Sequence, residues 1–302
     1  MLSLVNNVSY YKFDDNYFRI EMHRNNQALM FSNKIFNRRS IKGEIIKLNW
    51  KDKMVEYSNN KKKFSELVPS DIHPKLYDIL LVQDETKYFV KPEVGSLGKG
   101  IEVLNGKEIK KKYDEKDKII IQKCVESDLY EGYKYDVRMY YLLIRIKNKI
   151  ISYVSVDGKI RICEKIDDLI TNSSLIETGI EKDGLKIKDR IQNSVKDFCS
   201  REDVVKIYDV IKRMDVCVKE KLRENDSVEG KNDFINMYGV DLIKDNLEKY
   251  WLIEINGNPN WYHKNDNKKL SELKKCIFED IKNVVLNNYC DKKKEINNWL
   301  KI

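Results

Sequence analysis

The sequence predicts an α+β protein, and three observations lead there. Apolar residues come mostly in short runs bounded by turns, such as Lys87–Lys91, Lys118–Lys123, Asp136–Ile146 and Ile150–Val156. Helical periodicity is confined to a few stretches. One is Asp197–Arg223, with apolar residues at 204, 207, 208, 211, 214 and 218; another runs from Leu270 to Val285. The composition, 41% hydrophobic and 10% aromatic over 302 residues, is enough for one large domain or two to three lobes.

In chain order, residues 1–70 are expected to form a small N-terminal α+β lobe. Its β-like runs are Tyr17–Met22, Gly43–Leu48 and Met54–Tyr57. Val68–Pro74 holds two prolines and punctuates the chain, which sets a central lobe at 71–125 and a C-terminal lobe at 126–302. Leu76–Val82 reads as a short helix or strand, and Lys87–Lys91 as a strand stopped by Pro92. A glycine-rich loop, Gly95–Gly100, leads into a strand at Ile101–Leu104, and Lys107–Lys116 is a helical connector. Asp157-Gly158 reads as a hairpin turn into a further strand, Lys159–Cys163. Leu270–Val285 is an amphipathic helix closing the fold, and Lys292–Lys294 a solvated helix face.

Composition also narrows the function. A net charge of +8 with 35% charged residues suits an anionic partner: nucleotide phosphate, an acidic polypeptide or nucleic acid. The six cysteines, at 124, 163, 199, 217, 276 and 290, include no CxxC pair, and the three histidines are far apart. That excludes a zinc-ligand pattern and fits reduced thiols in a cytoplasmic protein. The opening residues do not read as a signal peptide, and no apolar run approaches the roughly 20 residues that span a bilayer.

The chemistry concentrates in Met237–Asn256, two apolar strands joined by a polar turn. Strand alternation puts Glu254 and Asn256 on one face, and a turn centred near Leu247–Glu248 sets Asp241 opposite Glu254. Two carboxylates and a carboxamide are hard oxygen donors suited to magnesium; the alternative is the wet face of a surface hairpin. Lys91 projects from a strand end just before the glycine loop, where Gly98, Lys99 and Gly100 can cradle an anion. Gln122 and Lys123 end a buried strand and continue through Cys124 and Val125. Lys134, Asp136, Arg138 and Tyr140 share one strand face with an excess of positive charge. Asp136 beside Arg138 reads as an ion pair, and Arg138 and Arg161 as anion clamps. Thr171–Ser174 is a turn or a substrate contact.

Together these segments resemble the tubulin tyrosine ligase-like branch of the ATP-grasp ligases. The matching pieces are Phe89–Pro92 with Gly98–Ile101, Gln122–Val125, Gly132–Arg138, Gly158–Arg161, Thr171-Asn172, and Gly239–Asp241 with Trp251–Asn256 and Pro259. The resemblance implies an ATP-grasp fold with ATP between two α+β lobes, and activity as an ATP-dependent ligase joining a free amino acid to an acidic polypeptide such as a tubulin tail. It assigns phosphate to Lys91 and Lys123, adenine to the Gln122–Val125 segment, and the reacting groups to Lys134 and Arg138. Arg161 and Asn172 fall near the acyl acceptor or γ-phosphate, and Mg2+ goes to Asp241, Glu254 and Asn256. The chain departs from the family at Lys99, where Arg is common, at Cys124, where Tyr is common, and at Gly257-Asn258 on the rim of the site. Two other functions stay open: an ATP-grasp kinase or small-molecule ligase, and a non-enzymatic basic binding protein with a degenerate nucleotide site.

Overall fold

The structure, a computed structural model, describes residues 8–13, 16–21, 30–32, 45–47, 53–95, 100–146, 149–163, 194–225, 234–257 and 295–302. It also describes helical positions 276, 277, 280, 281, 283, 284, 287 and 288. The elements in order are β1 (Val8–Phe13), β2 (Asn16–Glu21), β3 (Met30–Ser32), β4 (Ile45–Lys47), α1 (Lys53–Asn59), α2 (Lys61–Leu67) and β5 (Leu76–Tyr77). They continue with β6 (Lys87–Pro92), β7 (Glu102–Asn105), α3 (Gly106–Lys112), β8 (Ile119–Lys123), β9 (Leu129–Tyr130), β10 (Tyr133–Ile146), β11 (Lys149–Ser155) and β12 (Lys159–Ile162). Last come α4 (Val195–Phe198), α5 (Arg201–Asn225), β13 (Phe234–Lys244), β14 (Tyr250–Asn256) and β15 (Trp299–Lys301). The mixture of helices with antiparallel sheets is the predicted α+β class.

Two sheets matter for the site. A four-stranded sheet runs in the order β5-β8-β6-β7. One face of it packs on α3 through Tyr88, Val90, Ile109 and Ile121. A seven-stranded antiparallel sheet runs β14-β13-β10-β11-β15, with β9 and β12 also on β10. Its core face is set by alternation. Tyr135, Val137, Met139, Tyr141 and Leu143 of β10 lie in one cluster with Ile207, Ile211, Met214, Val218 and Leu222 of α5. That spacing on α5 is the i, i+3, i+4 stripe the sequence predicted. Even-numbered β10 residues through Arg138 are left for the opposite face.

Several local expectations change. Met54–Tyr57 is not β but lies inside α1. Met54 is fully buried and Tyr57 packs on the same core, an i, i+3 pair that a strand reading mistakes for alternation. Leu76–Val82 divides into the short strand β5 and a 3-10 turn at Ile79–Leu81. Asp157-Gly158 does not reverse the chain. Both β11 and β12 pair antiparallel with β10, Tyr141 opposite Val154 and Asp136 opposite Arg161. One strand path therefore continues through a kink at 156–158, with extra residues bulged out. A Cβ on Gly158 would lie 2.3 Å from the Arg138 carbonyl oxygen, so the glycine marks a close approach and not a turn. In the closing helix, Ile277, Ile281 and Val284 are buried as expected, while positions 270–275 and the Lys292–Lys294 run lie outside the described residues.

Candidate active site

Four strands build one cross-sheet row. Lys159 of β12 lies opposite Arg138 of β10, Arg138 opposite Asp241 of β13, and Asp241 opposite Glu254 of β14. Asn256 sits one step along, across from Gly239. The pairing of Asp241 with Glu254 arises differently from the prediction. Lys244 pairs with Tyr250 and Leu242 with Leu252, so the turn centres on Leu247, one half-step early. Uninterrupted, that register would face Asp241 with Ile253 and turn Glu254 to the core. A β-bulge absorbs Ile253 and restores the match. The core side of β14 records the change of parity: Tyr250 and Leu252, then Ile255. Asp245 pins the turn by accepting from the Leu247 and Lys249 amides at 2.9 and 2.8 Å and from Trp251 Nε1 at 2.7 Å.

The ion pairs run across strands and not along them. Arg138 donates to Asp241 from Nε and Nη2, both at 2.6 Å, in a fork-to-carboxylate pair. Arg161 donates to Asp136 from Nε and lies 2.9 Å from Asp241 through Nη2. Asp136 therefore answers Arg161 opposite it, not Arg138 beside it in sequence. Burial opposes the charge on Asp241, but Arg138 and Arg161 outweigh it and bring the carboxyl down to about 2. Burial likewise opposes the Arg161 charge, and Asp136 and Asp241 overcome it, holding the guanidinium above its ordinary value. Asn256 Nδ2 donates to Asp241 at 3.0 Å and to Glu254 at 3.2 Å.

Two lysines complete the site. Lys134 starts β10 because Glu131 and Gly132, both at positive φ, close a two-residue hairpin from β9. Its ammonium lies 4.8 Å from the centroid of the Phe89 ring, and that of Lys91 lies 5.3 Å from the same ring. The shared ring joins the two sheets. Lys91 donates to Gln122 Oε1 at 2.7 Å. Burial lowers its pKa to about 8; Glu254 works against that, and Lys61 and Lys134 add to it. Burial also lowers Lys134, in part offset by Cys163, Cys124 and Asp136. Lys61 Nζ donates to the Gly95 carbonyl at 2.7 Å and holds the stem of the glycine loop. Among the described residues the site carries the cations Lys91, Lys134, Arg138, Lys159 and Arg161 and the anions Asp136, Asp241 and Glu254. The arrangement can hold a polyanion at buried ammonium and guanidinium groups beside a carboxylate and an amide.

The sequence profile of the tubulin-tyrosine ligase family matches residues 18–294. The chain belongs to that family. Curated members show what it is similar to. Tubulin glycylase 3C of Tetrahymena thermophila is 26% identical over 238 residues, 71% of this chain and 22% of that protein. Tubulin glycylase 3E of the same organism is 27% identical over 201 residues, 57% of this chain and 14% of that protein. The probable tubulin polyglutamylase ttll-9 of Caenorhabditis elegans is 23% identical over 214 residues, 65% of this chain and 51% of that protein. The chain spans about half the length of the last and much less of the other two.

Of the residues that the resemblance to the tubulin-tyrosine ligase family points to, the structure gathers Lys91, Gln122, Lys134, Arg138, Arg161, Asp241, Glu254 and Asn256. Cys124 joins them at the edge, half-buried, its thiol pushed up by burial against the pull of Lys134 and Lys91. Val125 follows it, half-buried, its carbonyl accepting from Ser127 Oγ at 3.3 Å. Gly100 returns from the loop at a φ of 72°. Lys123 does not join: it pairs with Tyr88, whose side chain lies in the core on the far face, and it is exposed. Gly98, Lys99, Asn172 and Pro259 lie outside the described residues. Sequence reasoning did not place Lys159 in this row or Asp136 against Arg161. Lys159 was findable, because it shares strand parity with Arg161. Among the described residues no three His, Cys, Asp or Glu side chains form a metal-holding group, and no helix is long and apolar enough to cross a membrane.

Proposed function

We propose that the chain is an ATP-dependent carboxylate–amine ligase of ATP-grasp type, adding an amino acid to a carboxylate of an acidic polypeptide such as a tubulin tail. One observation supports it above the rest: two buried lysines from different sheets meet over Phe89, beside a row of arginines and carboxylates. Burying ammonium groups this deeply is costly unless an anion compensates them. Nucleotide phosphates entering between the sheets would add to whatever compensates these groups and draw on two ammonium groups at once.

Magnesium fits Glu254 and Asn256 best. Asp241 is the weaker direct ligand, since Arg138 and Arg161 occupy its oxygens and leave it to orient Asn256. A divalent cation held there would neutralise charge between phosphate oxygens. Lys91 and Lys134 orient the phosphates. An acceptor carboxylate oxygen bonds to the γ-phosphorus, ADP leaves, and an acyl phosphate forms. The amine of the incoming amino acid then attacks the acyl carbon, inorganic phosphate leaves with its bonding pair, and the amine proton passes to solvent. Arg138 and Arg161 face the charge that develops on the transferring group.

Mass spectrometry of glutamate-rich tail peptides, incubated with the protein, Mg-ATP and single amino acids, tests the proposal. A mass gain of one amino-acid residue is expected, and Glu254→Gln is expected to lower the rate about 100-fold or more with the fold intact. Arg138→Ala is a poorer probe, because stripping buried Asp241 of its fork costs about 3–5 kcal/mol of stability. ADP release without any peptide mass gain, driven by a small metabolite, would move the assignment to a kinase or small-molecule ligase.

A further inference from the structure

The segment Ile72–Lys75 is bonded to both sheets. The Ile72 carbonyl accepts from the Leu252 amide at 2.7 Å, one residue before the bulge at Ile253, and the Lys75 carbonyl accepts from the Lys123 amide at 3.2 Å. His73 stands between them, 4% exposed, with Phe64 edge-on at 6.1 Å. Its Nε2 lies 3.5 Å from Gln122 Nε2, which also donates to the Pro74 carbonyl at 3.3 Å.

The donors and acceptors assign this chain of contacts. The Lys91 ammonium only donates, so the amide oxygen of Gln122 must face it. The Gln122 amino group then faces His73, whose Nε2 must carry a lone pair, leaving the ring proton on Nδ1. Burial and then the charge of Lys91 lower the pKa of the ring to about 4, outweighing nearby backbone carbonyls, so the ring is singly protonated at neutral pH. The imidazole thus addresses the lysine through Gln122, while the carbonyl of Ile72 next to it in sequence holds the strand beside the bulge that aims Glu254.

We propose that His73 is a positioning residue. Through Gln122 it sets Lys91, and its neighbour Ile72 bonds the Leu252 amide beside the bulge under Glu254, so that this segment holds the phosphate-binding and carboxylate halves of the site in register. The functional part of this rests on the nucleotide-site assignment of Lys91 and Glu254; the geometric part does not.

Two measurements test it. In protein labelled with 15N in its three histidines, with His23→Gln and His263→Gln assigning the His73 resonance by elimination, a long-range 1H–15N spectrum at pH 7 is expected to show the Nδ1–H tautomer. An Nε2–H tautomer would overturn the proposal, whatever the protein catalyses. In steady-state assays His73→Phe, shown folded by circular dichroism, is expected to raise KM for ATP about tenfold with a smaller change in kcat. His73→Gln, whose amide oxygen can supply an acceptor at the Nε2 position facing Gln122, is expected to recover most of the loss. A folded His73→Phe with wild-type KM and kcat would also overturn it. Should that variant not fold, the spectrum of the wild type decides. A wild type that ligates nothing would strike the functional assignment and leave the tautomer result standing.

Discussion

Lys91 is a cation in a place that disfavours cations. Its folded pKa, about 8, lies below the ordinary 10.5. The unfolded chain therefore holds this proton more tightly, and stability from this group increases as pH rises from about 8 to 10.5. Lys91→Met is accordingly expected to stabilise the fold at pH 7 by about 3 kcal/mol, with the advantage shrinking between pH 8 and 10.5. Urea unfolding of both proteins at pH 7 and pH 10 checks this. A buried ammonium with such a cost suits the proposed role of holding an anion. At this scale the sequence was informative wherever strand parity applied: Lys134, Arg138 and Arg161 fall on one face as alternation requires. His73 was illegible because two prolines around it made the segment look like punctuation, and its partner Gln122 is 49 residues away. The Asp136–Arg138 pairing failed because strand neighbours two apart compete with cross-strand neighbours that stand closer.

Two irregular strand positions decide where these side chains point. The bulge at Ile253 changes the parity of β14, and the kink at Asp157-Gly158 lets β12 continue where β11 leaves β10. Gly158→Ala would push a methyl group into the Arg138 carbonyl and, at 2.6 Å, the Met139 sulfur. It is expected to destabilise by about 2–3 kcal/mol, read as a lower urea midpoint. It should also weaken nucleotide binding, since Lys159 and Arg161 follow on the same strand. Strand existence was legible in the apolar runs. Bulge and kink were not, because Asp-Gly reports a tight backbone without saying whether the chain reverses. The β-like run Met54–Tyr57 failed for a related reason: four residues are too few to separate a period of 2 from one of 3.6.

For the whole molecule, the excess of eight positive charges predicts long-range attraction of an acidic acceptor. KM for a glutamate-rich tail peptide is expected to rise several-fold between about 50 and 200 mM salt, as screening shortens the reach of the field. KM for ATP, which meets buried cations, should change less. An unchanged peptide KM would remove electrostatic steering from the account. The pairing order of the strands was beyond sequence reasoning, since contacts such as Asp241 with Arg138 span 103 positions. What carried across that distance was the order of short motifs, not any one of them.

The outer margins of the large sheet are each touched by other parts of the chain. Ile72 bonds to β14, Ser194 bridges to Lys159 of β12, and the three-residue β15 lies along β11. Among the described residues, these contacts interrupt the margins on which the proposed polypeptide acceptor could add itself as a strand. Recognition through side chains and a carboxylate would then weigh more than strand pairing, which suits a tail whose information lies in acidity more than in backbone shape.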